Sequence, residues 1–133
     1  MAPRKRKQAH VRLLLIEHAP HVIDELREVF DGPEFDCEVA LSVKCAFEIL
    51  HERRMDAVIV DAAFDGASGG SIGAVIRRLK EKDPALKVVI FNGVTPKAAQ
   101  RRLRRMGADG YLSKKSDTEA ISKSVRRVVG LDG

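Results

Sequence analysis

Four apolar runs in this chain each stop at a residue able to do chemistry. VRLLLI leads into Glu17-His18, AVIV into Asp61, VVIF into Asn92 and GYLS into Lys114. A lone carboxylate after such a run usually just begins a turn. Two acids, an amide and a cation at successive run ends make a set that can share one pocket. Glu17 and Asp61 offer hard oxygen donors suited to a divalent cation, and Lys114 supplies a second positive partner. His18 adds an imidazole, a donor that suits zinc, copper or nickel better than magnesium.

Other chemistries fail on spacing. EHAPHV after the first run contains no glycine, so no GxGxxG fingerprint follows it, and GxxxxGK[ST] and HExxH are absent. GGSIGAV follows a loop rather than a strand, and Gly66-Ala67-Ser68-Gly69 lacks the spacing of a hydrolase elbow. His18 and His21 have a possible ligand spacing but read as solvated residues near a helix start. Cys37 and Cys45 match no paired-ligand spacing and read as two buried thiols in a reducing cytosol.

The elements that must position these residues follow from periodicity. Val11–Ile16, Ala57–Val60 and Val88–Phe91 are continuous apolar runs, as expected of strands covered on both faces. Phe35, Cys37, Val39 and Leu41 alternate with Asp36, Glu38 and Ala40, the pattern of an edge strand, and Gly110–Ser113 is a brief fifth strand. Helical stripes lie between them: Val22, Ile23, Leu26, Val29 and Phe30; Val43, Ala46, Phe47 and Leu50; Ile72, Val75, Ile76 and Leu79; Ile121, Val125, Val128 and Val129. Ser42 reads as an N-cap, Thr95-Pro96 as a helix start, and Ser116 with Glu119 as a capping box. The helix after Thr95-Pro96 is poor in large apolar residues and dense in Arg101, Arg102, Arg104 and Arg105. Strands alternate with helices throughout, so the expected class is α/β with a doubly wound, five-stranded parallel sheet and helices on both faces. Ligands of such sheets bind at the carboxyl ends of the strands, where these polar residues sit.

Composition agrees. A chain of 133 residues fits one domain and can bury enough surface to fold without disulfides or metal. No apolar run approaches the ~20 residues of a membrane span, and no signal-peptide core is present, so a cytoplasmic location is expected. The net charge of +5 conceals an asymmetry. Residues 11–65 hold 13 acids against 5 bases, and residues 66–133 hold 15 bases against 6 acids. Residues 1–10 add Arg4, Lys5, Arg6 and Lys7, which reads as a disordered basic tail.

The segments LLLIEHAP, MDAVIVDAAFDGASGG, VVIFNG and GADGYLSKK resemble the receiver domain of bacterial two-component response regulators. The similarity runs from Val11 to about Gly130 and implies the CheY-like strand order 2-1-3-4-5. It also implies that Asp61 accepts a phosphoryl group from a sensor histidine kinase or phosphotransfer protein. Glu17, Asp61 and the backbone carbonyl of Ala63 then bind Mg²⁺ or Mn²⁺, Lys114 and Asn92 contact the phosphoryl group, and Tyr111 is the aromatic switch. The chemistry agrees independently, because an acceptor carboxylate crowds negative charge that a divalent cation and a lysine can hold.

The sequence departs from the family pattern around this site. His18 stands where the family has a metal-binding aspartate, which predicts weaker Mg²⁺ binding. Asn92 replaces the switch Ser/Thr, Lys115 replaces the proline after the lysine, and Phe64-Asp65 replaces Met-Pro. The leading reading is a single-domain receiver that signals by protein–protein interaction, its only catalysis being self-phosphorylation at Asp61 and hydrolysis of the product. The alternative is a degenerate receiver that works as an interaction module without phosphorylation. Nucleic acid is disfavoured as a partner, since no aromatic residues interleave the arginines. Residues 131–133 leave no room for an output domain, so the message is expected to leave through the receiver's own surface. Arg101, Arg102, Arg104 and Arg105 mark a partner surface for an acidic protein. Like charges there disfavour a symmetric dimer, so a monomer or weak dimer is expected.

Overall fold

A computed structural model describes residues 10–61, 72–92 and 97–131. The elements are β1 (Val11–Ile16), α1 (Pro20–Val29), β2 (Phe35–Ala40), α2 (Val43–Glu52), β3 (Ala57–Asp61), α3 (Ile72–Lys82), β4 (Lys87–Asn92), α4 (Lys97–Arg105), β5 (Gly110–Ser113) and α5 (Thr118–Val129). All strand pairs are parallel, in the order β2-β1-β3-β4-β5. The expected doubly wound class and strand order are therefore present. The continuous apolar runs of β1, β3 and β4 have a direct cause: these three central strands are buried on both faces, so their residues need not alternate.

The pleat divides the core in two. Leu13, Leu15, Ala57, Ile59, Val89, Phe91 and Leu112 pack against Val22, Leu26 and Phe30 of the α1 region and Ile121 and Val125 of α5. Leu14, Ile16, Val58, Val60, Val88 and Ile90 pack on the other face against Val43 and Ala46 of α2, Val75, Ile76 and Leu79 of α3, and Leu103 of α4. Burying one large aliphatic side chain of this kind contributes about 1.5–3 kcal/mol before the entropy of ordering it is subtracted. Close helix approach on the first face depends on Gly110. A Cβ there would lie 2.9 Å from Val128 Cγ2, so α5 could not pack as it does over β5 with a larger residue.

Several local expectations change. Ser42 caps α2 as expected, its hydroxyl accepting from Cys45 N at 3.0 Å. The N-cap of α5, however, is Asp117, whose carboxylate accepts from Ala120 N at 2.8 Å. Ser116 instead belongs to the preceding turn, where its N–H donates to the Ser113 carbonyl. Leu41 does not continue the inward row of β2; the strand ends at Ala40 and Leu41 is 60% exposed. Cys37 and Cys45 are half-buried free thiols rather than fully buried ones, and burial pushes Cys37 up to about 11. The Thr95-Pro96 helix start lies outside the described residues, as does the basic tail through residue 9.

Candidate functional site

Side-chain parity brings the strand-end residues together. Glu17 follows Leu13 and Leu15, Asp61 follows Ala57 and Ile59, and Lys114 follows Leu112. All three continue rows that face α1 and α5. Leu15 pairs with Ile59 and Ile16 with Val60, so Glu17 emerges beside Asp61 at the carboxyl ends of β1 and β3. The backbone N–H of Glu17 donates to the Ala40 carbonyl at 3.2 Å, which ties its position to the end of β2.

The pocket is buried and acidic. Glu17 and Asp61 are the buried charged side chains of the described core, at 2% and 3% exposure. Lys114 Nζ donates to Asp61 Oδ2 at 2.8 Å and lies 5.6 Å from the centre of the Phe91 ring. Glu17 Oε2 accepts from the backbone N–H groups of His18 and Ala19, at 3.2 and 3.1 Å. Glu17 Oε1 is buried with no hydrogen-bond partner among the described residues. Burial raises the Glu17 carboxyl above its ordinary range; the Ala19 N–H lowers it, while contact with Asp61 raises it further and the Lys114 charge opposes that rise. Two buried carboxyls thus face a single lysine. A divalent cation fits this donor set, since it would give the orphaned oxygen a partner and balance the excess negative charge.

The other expected site residues divide. His18 lies at the rim, with its side chain 62% exposed and Nδ1 4.0 Å from Glu17 Oε2. Tyr111 pairs with Ile90 across β4 and β5 and packs on the opposite face, against the cluster of α2, α3 and α4. Its hydroxyl is buried without a hydrogen-bond partner among the described residues. Asn92 is placed only through its backbone, paired with Ser113 at the end of β4; its side chain and the Ala63 carbonyl lie outside the described residues. The turn after Lys114 is closed without proline, because Ser113 Oγ accepts from Lys115 N at 3.1 Å. Sequence reasoning missed Phe91 as the floor under Lys114 and Ala19 as a donor to Glu17. An apolar strand residue and a backbone amide carry no chemical signal of their own.

A family model described as the response regulator receiver domain matches residues 13–126, a span that includes Glu17, Asp61 and Lys114. The chain belongs to this family. It is a receiver domain of the kind found in two-component signalling. The photosynthetic apparatus regulatory protein RegA of Rhodobacter capsulatus is 25% identical over 113 residues, covering 85% of this chain and 60% of RegA. The chain therefore spans about three-fifths of that relative. A response regulator from Thermotoga maritima has a TM-score of 0.81 at 20% identity, over 91% of this chain and 98% of that one. HP1043, an orphan response regulator of H. pylori, has a TM-score of 0.78 at 19% identity, over 92% of this chain and 99% of its own. At these identities the two structures establish the fold.

In this receiver domain the charge asymmetry of the sequence becomes spatial. The β2 edge carries Asp36, with exposed Asp24, Glu25 and Glu28 on α1 and Glu48 and Glu52 on α2. At the other end of the sheet order, Arg101, Arg102, Arg104 and Arg105 of α4 are all exposed, and Leu103 is the buried residue of that helix. Arg126 does not join the basic face, because its guanidinium grips both oxygens of Glu34 at 2.5 and 3.2 Å. No helix among the described residues is long and apolar enough to cross a membrane.

Proposed function

We propose that this receiver domain accepts a phosphoryl group on Asp61 from a histidine kinase or phosphotransfer protein and signals by binding a partner. The observation that carries the reading is the 2.8 Å contact between Lys114 Nζ and Asp61 Oδ2 beside Glu17 Oε1, which is buried without a hydrogen-bond partner among the described residues. In the transfer, an Asp61 oxygen forms a bond to phosphorus as the bond from phosphorus to the donor imidazole nitrogen breaks. That nitrogen keeps the electron pair, and Asp61 becomes an acyl phosphate. Lys114 moves its ammonium from the carboxylate to the phosphoryl oxygens, and Asn92 donates a hydrogen bond to them. Glu17, Asp61 and the Ala63 carbonyl would hold Mg²⁺ or Mn²⁺, whose charge would offset the negative charge of the phosphoryl group. Tyr111 responds as the switch, and its hydroxyl gives up no hydrogen bond to a described residue when the ring turns. The exposed arginines of α4 receive an acidic protein partner.

Intact-mass analysis after treatment with acetyl phosphate and Mg²⁺ or Mn²⁺ tests this. A phosphoryl adduct on the wild type that is lost in Asp61→Asn supports it; an adduct retained by Asp61→Asn overturns the assignment. The closed Lys114–Asp61 ion pair also favours a second reading, since it satisfies Asp61 without metal or phosphate. In that case the domain is a phosphorylation-independent interaction module, and no adduct forms under any of these conditions.

A further inference from the structure

We infer that the groove over α2 and α3 is a docking surface for a second copy of this chain. The contact is twofold, with the two α2 helices antiparallel and the axis passing near Phe47. It uses none of the strand-end residues, so it stands apart from the reading of Asp61 as an acceptor.

Apolar features lie where such an axis needs them. The groove is a cavity of about 760 Å³ along the outer side of α2, lined by Val43 and Phe47. Arg78 of α3 closes its wall, with its guanidinium 4.3 Å from the centre of the Phe47 ring. Leu41, in the turn just before α2, is 60% exposed, and among the described residues it is the large apolar side chain left in solvent. A smaller cavity of about 360 Å³ lies at the other end of the helix, against Leu50 and Met55. Leu41 comes six positions before Phe47, and Leu50 and Met55 come three and eight positions after it. A twofold axis at Phe47 therefore carries each Leu41 toward the other copy's smaller cavity, on the order of 10 Å along the helix from the axis. Leu41 would leave water there for a partly apolar recess.

Charge obeys the same axis. Lys44 comes three positions before Phe47, and Glu48 and Glu52 come one and five after it; all three line the groove and are exposed. Among the described residues, Lys44, Glu48 and Arg78 have no ion-pair partner. In the antiparallel arrangement each Lys44 meets the acidic end of the other α2, and each Arg78 flanks the second copy's Glu48. A face basic at one end and acidic at the other repels its copy when the helices run parallel and attracts it when they run antiparallel. A partner of a single sign would suit one end and be repelled by the other, which favours a second copy as the occupant. The arginines of α4 line neither cavity, so this contact leaves them available.

The test is sedimentation equilibrium of the full chain in EDTA, without acetyl phosphate. Wild type should show a reversible monomer–dimer equilibrium, and Leu41→Ser should weaken it at least about tenfold. Lys44→Glu makes the face acidic at both ends, and Glu48→Lys with Glu52→Lys makes it basic at both. Each of these should weaken self-association at least about tenfold, whereas mixing the two should give a heterodimer at least as tight as the wild-type dimer. All the altered side chains are exposed, so each variant should fold, and thermal melts by circular dichroism check this. A wild type that stays monomeric at about 0.5 mM overturns the inference and leaves the groove to another occupant. So does a dimer that every variant leaves unchanged, or a pair of charge variants that fail to associate when mixed. Carbodiimide cross-linking of mixed light and heavy chains locates the contact. Links between chains from Lys44 to Glu48 or Glu52 are expected, and links confined to α4 or α5 overturn the inference. Asp61→Asn should dimerise as wild type does, so failure of the interface and failure of phosphoryl acceptance are read separately.

Discussion

At the scale of single residues, burial sets the consequences. Lys114 ends a strand at the surface, which from sequence alone predicts a small stability change on its removal. The structure alters that expectation, because its partner Asp61 is 3% exposed. Lys114→Ala leaves a buried carboxylate without its cation and should cost about 1–3 kcal/mol by urea denaturation in EDTA, much of it restored by a saturating divalent ion. An unchanged midpoint in EDTA would show that the ion pair contributes nothing. Glu17 gives a pH prediction. Its folded carboxyl is raised above the ordinary value by burial, so the folded state holds a proton that the unfolded chain has released. Protonated Glu17 therefore favours folding below the unfolded value, and that contribution is lost as pH rises through the folded one. In EDTA, Glu17→Gln should gain stability relative to wild type as pH rises from the ordinary carboxylate range toward neutrality. A difference that stays flat with pH contradicts the assignment. The identity of Glu17, Asp61 and Lys114 was legible because each terminates an apolar run. The exposure of His18 was not, since the apolar run that marks what the fold covers stops at Ile16.

Among the elements, the order of strands and helices was legible because each run's period was clean. Their ends were less so. Ser116 and Asp117 are adjacent and both are good caps, so composition could not choose between them. The carboxylate of Asp117 receives the Ala120 N–H, and Ser116 closes the turn after β5. Asp117→Ala should cost about 1 kcal/mol, whereas Ser116→Ala should stay within about 0.5 kcal/mol. Chemical denaturation of the two variants checks this, and the reverse ranking would return the cap to Ser116. Leu41 misled for a related reason. Alternation extended one residue too far, past the point where Ala40 accepts from Glu17 N and the chain turns to the Ser42 cap.

For the whole molecule, the sheet order converts a sequence asymmetry into two poles. The acidic segment builds the β2 edge and the basic segment builds α4 near the β5 edge. The sequence showed the unequal halves, but only the strand order places them at opposite edges of the sheet. A symmetric dimer through α4 would oppose Arg101, Arg102, Arg104 and Arg105 to their own copies, so sedimentation at low salt should show no association through that face. An acidic partner should instead bind with an affinity that falls steeply as ionic strength rises. Reversing the charge of all four arginines should abolish that binding while leaving acetyl phosphate adduct formation intact. Pull-downs that recover the same partners with the reversed surface rule out docking on α4.

The central claim is that Asp61 carries the phosphoryl group. Borohydride reduction of the acetyl phosphate-treated chain, followed by peptide mapping, tests it most directly because it converts an aspartyl phosphate into homoserine at the modified position. Homoserine should appear at position 61 and at no other aspartate. Homoserine elsewhere, or none despite a phosphoryl adduct on the intact protein, contradicts the account.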